Sequence, residues 1–424
     1  MTSTSFGIGW RQVASGFVLL ACVATITSSY SVIAVPLAAE FKPSRAVLML
    51  AMTVLSGTSA ILSPLLGGMM DKAPLRRMML AGAVLLSAGY AAITFAHSFT
   101  QILLVYGLLI APANILLGPV AVTVLLSRWF VKRRGTALGI AIAGISMGGI
   151  LFPPIIQGFL NAFPWREGVR MFALVILVLT VAAAAIVVDN PAKRGLQPDG
   201  SASLPEATPV KTSPLSTRAI MTDPAFWLIF VMVAVVTSGM KGMVTNLAPL
   251  AVDQGITPTA AAFLVSIFAS CSLVAKLVFA TVSDRINLRY LAIGSLLGFA
   301  SGMLVLTQAQ LGYLLIAGGV GVVGLFGGLM VPLESLLGAS VFGREAIGKA
   351  IGLLNMIMLV ALLATPPLFG LIFDLTGSYS GIFYTFGGLA VLATLVVPYV
   401  RFHARDAAAP DEVAIPAEGA ATTA

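Results

Sequence analysis

The sequence predicts an all-α integral membrane fold: twelve transmembrane helices in two pseudo-symmetric six-helix halves. Three observations carry this expectation. Apolar runs of roughly 17 to 25 residues, the length a helix needs to cross a bilayer, occupy most of the chain. Of the 424 residues 58% are hydrophobic and 9% charged, whereas a soluble domain has about a quarter of its residues charged. Short motifs also recur 213 residues apart, about half the chain.

Each run is continuously apolar rather than alternating, so it reads as a helix and not as a barrel strand; in lipid a helix satisfies its own backbone polar groups. The expected spans 1 to 6 are Val13 to Leu37, Ala46 to Met70, Met78 to Ala96, Ile102 to Leu126, Gly135 to Phe159 and Val169 to Val188. Spans 7 to 12 are Phe226 to Leu250, Ala260 to Val282, Leu291 to Ala309, Tyr313 to Leu337, Ala350 to Phe373 and Gly381 to Val400. Asp71-Lys72, closing span 2, is echoed by Asp284-Arg285 closing span 8, and Gly135-Thr-Ala-Leu-Gly139 by Gly348-Lys-Ala-Ile-Gly352. A duplicated six-helix unit is the simplest account. Residues 1–188 then form an N-terminal half and 223–400 a C-terminal half. The polar stretch 189–222, with Pro191, Pro198, Pro205, Pro209 and Pro214, has the composition of a linker. Residues 401–424, rich in Ala, Pro and acids, read as a disordered tail.

Charge sets the orientation. With both termini in the cytoplasm, the outer segments hold only Lys42, Arg45, Arg166 and Arg170; every other Lys and Arg outside the spans lies on the inner side. The positive-inside bias therefore predicts a multi-pass plasma-membrane protein with cytoplasmic termini. The same distribution removes a nucleic-acid reading of the net charge of +8, because the basic residues sit in short loops. Cys22 and Cys271 both fall inside spans and read as small hydrophobes rather than a disulfide. His97 in a loop and His403 in the tail are the two histidines, and no metal-spaced cluster accompanies them. The sequence thus offers no catalytic or metal site and calls for no cofactor.

Gly67-Gly68-x-x-Asp71-Lys72-x-x-x-Arg76-Arg77, set in a twelve-span chain with a long central loop, resembles the signature loop of the major facilitator superfamily. The resemblance covers all twelve spans and implies a secondary transporter working by alternating access. A carboxylate at one helix end can sit against the positive N-terminal end of another helix and pair with loop cations, contacts that exist only when the halves close on that side. In the family this cluster stabilises the outward-facing state. The resemblance gives that gating role to Asp71, Lys72, Arg76 and Arg77, and to the shorter Asp284, Arg285 and Arg289 set; the alternative is charge that merely sets topology. Arg128-Trp129-Phe130-Val131-Lys132-Arg133-Arg134-Gly135, with Gly139, Gly144, Gly148, Pro153, Pro154 and Trp165-Arg166, is similar to the monocarboxylate transporter and oxalate:formate antiporter branch. So is Phe369-Gly-Leu-Ile-Phe-Asp374-Leu-Thr-Gly-Ser-Tyr379.

Lys241 and Lys276 are the cations inside spans. A cation there costs a few kcal/mol and is usually kept because it lines a pathway. Ser272 stands one helical turn before Lys276, on the same face. Animal monocarboxylate transporters have an Asp at the position of Ser272 and an Arg at that of Lys276, so the resemblance implies that Lys276 binds a carboxylate. The alternative is that it snorkels to the inner interface, roughly 9 Å away. Lys241 has no clear family counterpart; outward snorkelling or structural pairing stands beside a substrate role. Tyr30 in span 1 and Asn114 in span 4 are further hydrogen-bonding candidates, against helix packing as the alternative. No Asp or Glu lies deep in a span, so the family's carboxylate proton acceptor is missing. Two cations without an internal anion leave a site that is electrostatically incomplete until an anion enters. The expected function is secondary transport of small organic anions, mono- or dicarboxylates, with a proton or counter-anion as coupling partner. The carrier is expected to work as a monomer in the lipid bilayer of a bacterial inner membrane, the bacterial part resting on the family look alone. Efflux of drugs or other small molecules is the alternative, although cationic ligands are usually met by a buried acid.

Overall fold

The computed structural model describes residues 3–131, 133–191, 216–283 and 285–400, all helix and connecting turn. Among them, eleven helices are long and apolar enough to cross a membrane. The place of the twelfth is taken by span 3, Leu75–Ile93, whose 19 residues include Arg76 and Arg77 near the start and whose Leu75, Met79, Leu86 and Tyr90 are buried. Spans 1, 2, 5 and 6 are Ser3–Phe41, Arg45–Lys72, Arg134–Ala162 and Trp165–Ile186. Spans 7, 8 and 9 are Pro224–Asp253, Pro258–Val282 and Leu288–Leu306, and span 12 is Ser380–Thr394 followed by a 3-10 turn, Val397–Tyr399.

Local chemistry sets the helix ends. Ser44, Asp223, Thr257 and Asn287 each accept a hydrogen bond from an N–H group in the first turn of spans 2, 7, 8 and 9. Pro224 and Pro258 occupy first-turn positions where a missing N–H costs nothing. Gly377, at φ +68°, closes span 11 in the left-handed conformation that glycine tolerates.

Two regions differ from the separate, uninterrupted helices expected. Span 4, Phe99–Trp129, is α-helical to Val105, widens into a π turn at Tyr106–Ile110, resumes at Ala111–Leu117 and breaks at Gly118 before Pro119–Trp129. Pro112 cannot bond the carbonyl four residues back and crowds it, which widens the turn. Gly118, extended at ψ −169°, is the residue before a proline, where helical backbone is disfavoured. Spans 10 and 11 form one helical run, Tyr313–Thr376. Asn355 nevertheless donates to Glu334 at 3.2 Å across 21 residues, a separation of about 30 Å on a straight helix. The chain therefore reverses between them, giving Tyr313–Phe342 and Lys349–Thr376 as separate crossings.

Buried apolar side chains form two clusters, one drawn from Val13 to Val187 with Ala262, the other from Ile220 to Val400. Leu314, Leu375, Val360 and Leu108 are among the exposed large side chains, the outward apolar surface expected of a protein solvated by lipid. Spans 1 and 5 touch backbone to backbone: a Cβ on Gly144 would lie 2.2 Å from the Phe17 carbonyl oxygen, and one on Gly148 2.1 Å from that of Ala21. On the face opposite the termini, Arg166 binds Glu40 through both carboxylate oxygens, at 2.5 and 2.7 Å, and the Thr94 and Ala96 carbonyls at 3.0 Å each.

The halves meet on that same face and at mid-depth. Asn161 donates to Thr259 at 2.9 Å and Ala248 N to the Ser31 hydroxyl at 2.9 Å. Deeper, the Thr53 hydroxyl donates to the Leu363 carbonyl at 2.6 Å and that of Ser266 to the Ile150 carbonyl at 2.7 Å. Toward the face bearing the termini, helix backbones lie in open space: Gly67, Gly68, Gly135, Gly139 and Gly352 have nothing within 4 Å of where a Cβ would stand. Among the described residues the hydrogen bonds that join the halves thus lie on one face, called closed below, and at mid-depth, and none lies on the other, called open.

The span 1–span 5 contact gives a matched pair of substitutions on one helix. Gly148→Ala should destabilise the protein by about 1 to 3 kcal/mol, since rigid backbone must move. Gly158→Ala, with nothing within 4 Å, should not. Melting temperatures in detergent check both.

Candidate functional site

Where spans 1, 5, 7 and 8 meet between the halves they leave a cavity of about 140 Å³. Its wall is mostly apolar, with Ala24, Ile145, Val244, Val265 and Phe268, and carries the hydroxyls of Thr27, Ser28, Ser146 and Ser272. Lys276 is the one charged lining residue. Helical side chains lean toward the N-terminus of their own helix. The Lys276 ammonium is thus carried from the open face toward mid-depth, where it donates to the Ser146 hydroxyl of the other half at 3.1 Å. Ser146 keeps its own O–H to donate. Thr27 and Ser28 instead turn their hydroxyl hydrogens to the Ala24 carbonyl, at 3.3 and 2.8 Å. Ser272 is buried at the wall, and a Cβ on Gly328 of span 10 would lie 2.9 Å from its hydroxyl oxygen. Among the described residues the ion pairs are Arg45–Asp253 and Arg166–Glu40, both on the closed face, so no carboxylate neutralises Lys276. The arrangement offers a small anion an ammonium, a hydroxyl donor and an apolar wall.

Lys241 lies elsewhere. Its ammonium donates to the Ser56 hydroxyl of span 2 at 2.7 Å, across the seam between spans 2 and 7, and it does not line the cavity. The two lysines each reach from the C-terminal half to a serine of the N-terminal half, but through different helix pairs. Tyr30 and Asn114 are also outside the cavity lining. Tyr30 is fully buried, donates to the Leu48 carbonyl and packs edge-to-face on Tyr106 with ring centroids 5.3 Å apart. Asn114 donates to Ser59 at 3.4 Å within the N-terminal half. The structure places both in helix packing.

Of the loop charges, Arg76 offers its backbone N–H to Asp189 at 2.7 Å, which caps the start of span 3. Arg77 and Arg285 are exposed, and Arg289 donates to the Val400 carbonyl at 3.4 Å. Asp284 and the side chains of Asp71 and Lys72 lie outside the described residues. Sequence reasoning missed Ser146, Ser56, Thr27 and Ser28. The signal for the last two was the hydroxyl-rich run from Thr25 to Ser31 inside an apolar span. Ser56 and Ser146 are single serines in apolar runs, and no spacing rule pairs them with lysines 185 and 130 residues away.

The chain matches the sequence profile of the Major Facilitator Superfamily over residues 16–250 and 232–422. Mouse monocarboxylate transporter 12 is 24% identical over 420 residues, covering 93% of this chain and 86% of that one. Rat monocarboxylate transporter 13 is 27% identical, covering 92% and 89%. Mouse monocarboxylate transporter 11 is 30% identical, covering 73% and 68%. Among solved structures, an inward-facing, unoccupied bacterial homologue of the human lysosomal transporter Spinster superposes with a TM-score of 0.66 at 14% identity, covering 94% of this chain and 95% of that one. The chain belongs to the major facilitator superfamily, a family of membrane transporters rather than enzymes, and resembles its monocarboxylate transporter branch.

The placement of Tyr30 has a direct consequence. Tyr30→Phe removes one buried hydrogen bond from a carbonyl that keeps its helical partner, and should destabilise the protein by about 1 kcal/mol while changing transport KM by less than about twofold. A large KM change with unaltered thermal stability would put Tyr30 on the substrate path instead.

Proposed function

We propose that this carrier moves small organic anions, monocarboxylates first among them, by alternating access between its halves. The observation that carries the reading is Lys276: a cation on the wall of a cavity between the halves, hydrogen-bonded to a neutral serine and paired with no carboxylate among the described residues. The volume favours small ligands, since drug-sized sites run to roughly 300–1,000 Å³ and an engineered cavity of about 150 Å³ accepts one six-carbon ring. The ammonium on its wall weighs against cationic drugs, and so against efflux of that class. The separate placement of Lys241 favours a single carboxylate at this site over a dicarboxylate bridged by both lysines.

With the termini in the cytoplasm, as the positive-inside bias requires, the open face is cytoplasmic and this conformation is inward-open. Asp71, Arg76 and Arg77, on that face, would act in the opposite state. A charged Lys276 without its anion resists moving through the low-dielectric centre, and a bound carboxylate relieves that cost. Two couplings satisfy the constraint: exchange against a counter-anion, or uptake with a proton carried by the lysine amine. Lumenal pH in proteoliposomes separates them, because only the second acidifies the lumen in step with net uptake.

Removing the charge as Lys276→Gln should lower carboxylate affinity about 10- to 150-fold, the range for one charge-assisted hydrogen bond. Lys276→Arg should retain part of it. The check is uptake of labelled lactate, pyruvate, oxalate and a lipophilic cation into proteoliposomes. Wild-type carboxylate uptake by the Gln variant, or transport of the cation alone, would reject the proposal.

A further inference from the structure

We infer that Arg45, Asp253 and Asp374 form a latch holding the halves together on the face opposite the termini, with Asp374 as its principal member. The inference rests on alternating access and is independent of which anion is carried. Asp374, at the C-terminal end of span 11, places one carboxylate oxygen 2.8 Å from the backbone N of Arg45 and the other 2.9 Å from that of Ala46. These are the first two N–H groups of span 2, which have no acceptor within their own helix and carry its positive end. The Arg45 side chain turns the other way, donating to Asp253 at 2.5 Å with its guanidinium 5.4 Å from the Phe373 ring centre. Every one of these contacts joins the N-terminal half to the C-terminal half.

Close approach is built into span 11. A Cβ on Gly370 would stand 2.5 Å from the carbonyl carbon and oxygen of Arg45, so glycine there lets span 11 lie against the start of span 2. The Arg45–Asp253 ion pair alone is partly exposed and contributes little. Asp374 is itself exposed and screened; its advantage over the ion pair is that it accepts two N–H bonds from a rigid helix end whose dipole favours its charge.

Spans 2 and 11 run antiparallel, and this makes the latch reversible. Their contact continues from Gly370 through Thr53–Leu363 to Gly57, whose Cβ position lies 3.7 Å from Leu363. Beyond it they part, leaving Gly67, Gly68 and Gly352 in open space. At that far end span 2 closes with Asp71 in its last turn, while spans 10 and 11 continue one another in a single helical run. Rocking about the middle contact would separate Asp374 from span 2 and bring the Asp71 end toward the start of span 11.

The test is a distance measurement by pulsed electron paramagnetic resonance. Spin labels go at Glu167→Cys and Gln308→Cys, both exposed on the closed face in different halves, in a Cys22→Ala, Cys271→Ala background without added anion. Asp374→Asn keeps the shape of the side chain and should raise the ratio of open to closed distances on that face about tenfold. Asp71→Asn should shift it the other way, and the double variant should return toward wild type. A wild-type distribution for Asp374→Asn, or lower thermal stability with no change in distribution, would make Asp374 a simple helix cap and overturn the latch. If the Asp374 variant does not fold, Gly370→Ala serves instead, because its added methyl pushes span 11 off the start of span 2; it should raise the open fraction, and an unchanged distribution there would overturn the proposal. Because no anion is present, failure here leaves the Lys276 reading standing, and failure of the Lys276 reading leaves the latch standing.

Discussion

In a hydrocarbon layer no water is available to a backbone N–H or C=O, and almost every feature of this protein follows from that shortage. It forces helices, and it leaves free polar groups at helix ends, where caps meet them: Ser44, Asp223, Thr257 and Asn287 each serve a first turn. The break in span 4 is local and coincides with Pro112 and the Gly118-Pro119 pair, the residues least able to continue a helix. Side-chain hydroxyls obey the same rule. Ser28, Thr237, Thr245 and Thr365 return their hydrogens to the carbonyl four residues back in their own helix, so they place polar atoms in the membrane without leaving a donor unmet.

A lysine has no such local remedy. Its ammonium carries three donors and a full charge, at the end of a four-carbon stem that takes it past the carbonyls of its own helix. Lys241 and Lys276 therefore reach across the boundary between the halves, to Ser56 and Ser146. A serine hydroxyl satisfies one donor and none of the charge. That residual charge lies on the cavity wall at Lys276 and in a closed seam at Lys241, which separates two cations that are equivalent by composition.

The same shortage supports movement. Contacts inside each half are apolar and backbone-close, as at Gly144 and Gly148, and have no alternative arrangement of comparable quality. Contacts between the halves add exchangeable polar bonds to close packing such as Gly370 on Arg45: hydroxyls on carbonyls, two lysines on serines, and Asp374 on the start of span 2. Bonds of that kind can be exchanged for others or for water at a face that opens, whereas a backbone contact buried within a half cannot. Rigid halves with an exchangeable seam are what alternating access requires.

Composition and pattern alone determined the number, length and order of the crossings, the reversal between spans 10 and 11, and the singular position of two lysines in spans without a deep acid. Continuous apolarity specifies a helix in lipid whatever it packs against, and a charge in an apolar run is conspicuous without a structure. The family resemblance added the expected gate and the carboxylate reading of Lys276. The sequence left Tyr30 and Asn114 between hydrogen bonding to a ligand and helix packing, and the tertiary structure puts them off the cavity lining. It also decided that Lys276 leans to mid-depth while Lys241 enters a seam, that Ser146 and Ser56 receive them, and that Arg45, Asp253 and Asp374 assemble on one face. Helical periodicity says which residues share a face of one helix. It does not say which helix stands opposite, and the partners here are 130, 185, 208 and 329 residues apart in the chain.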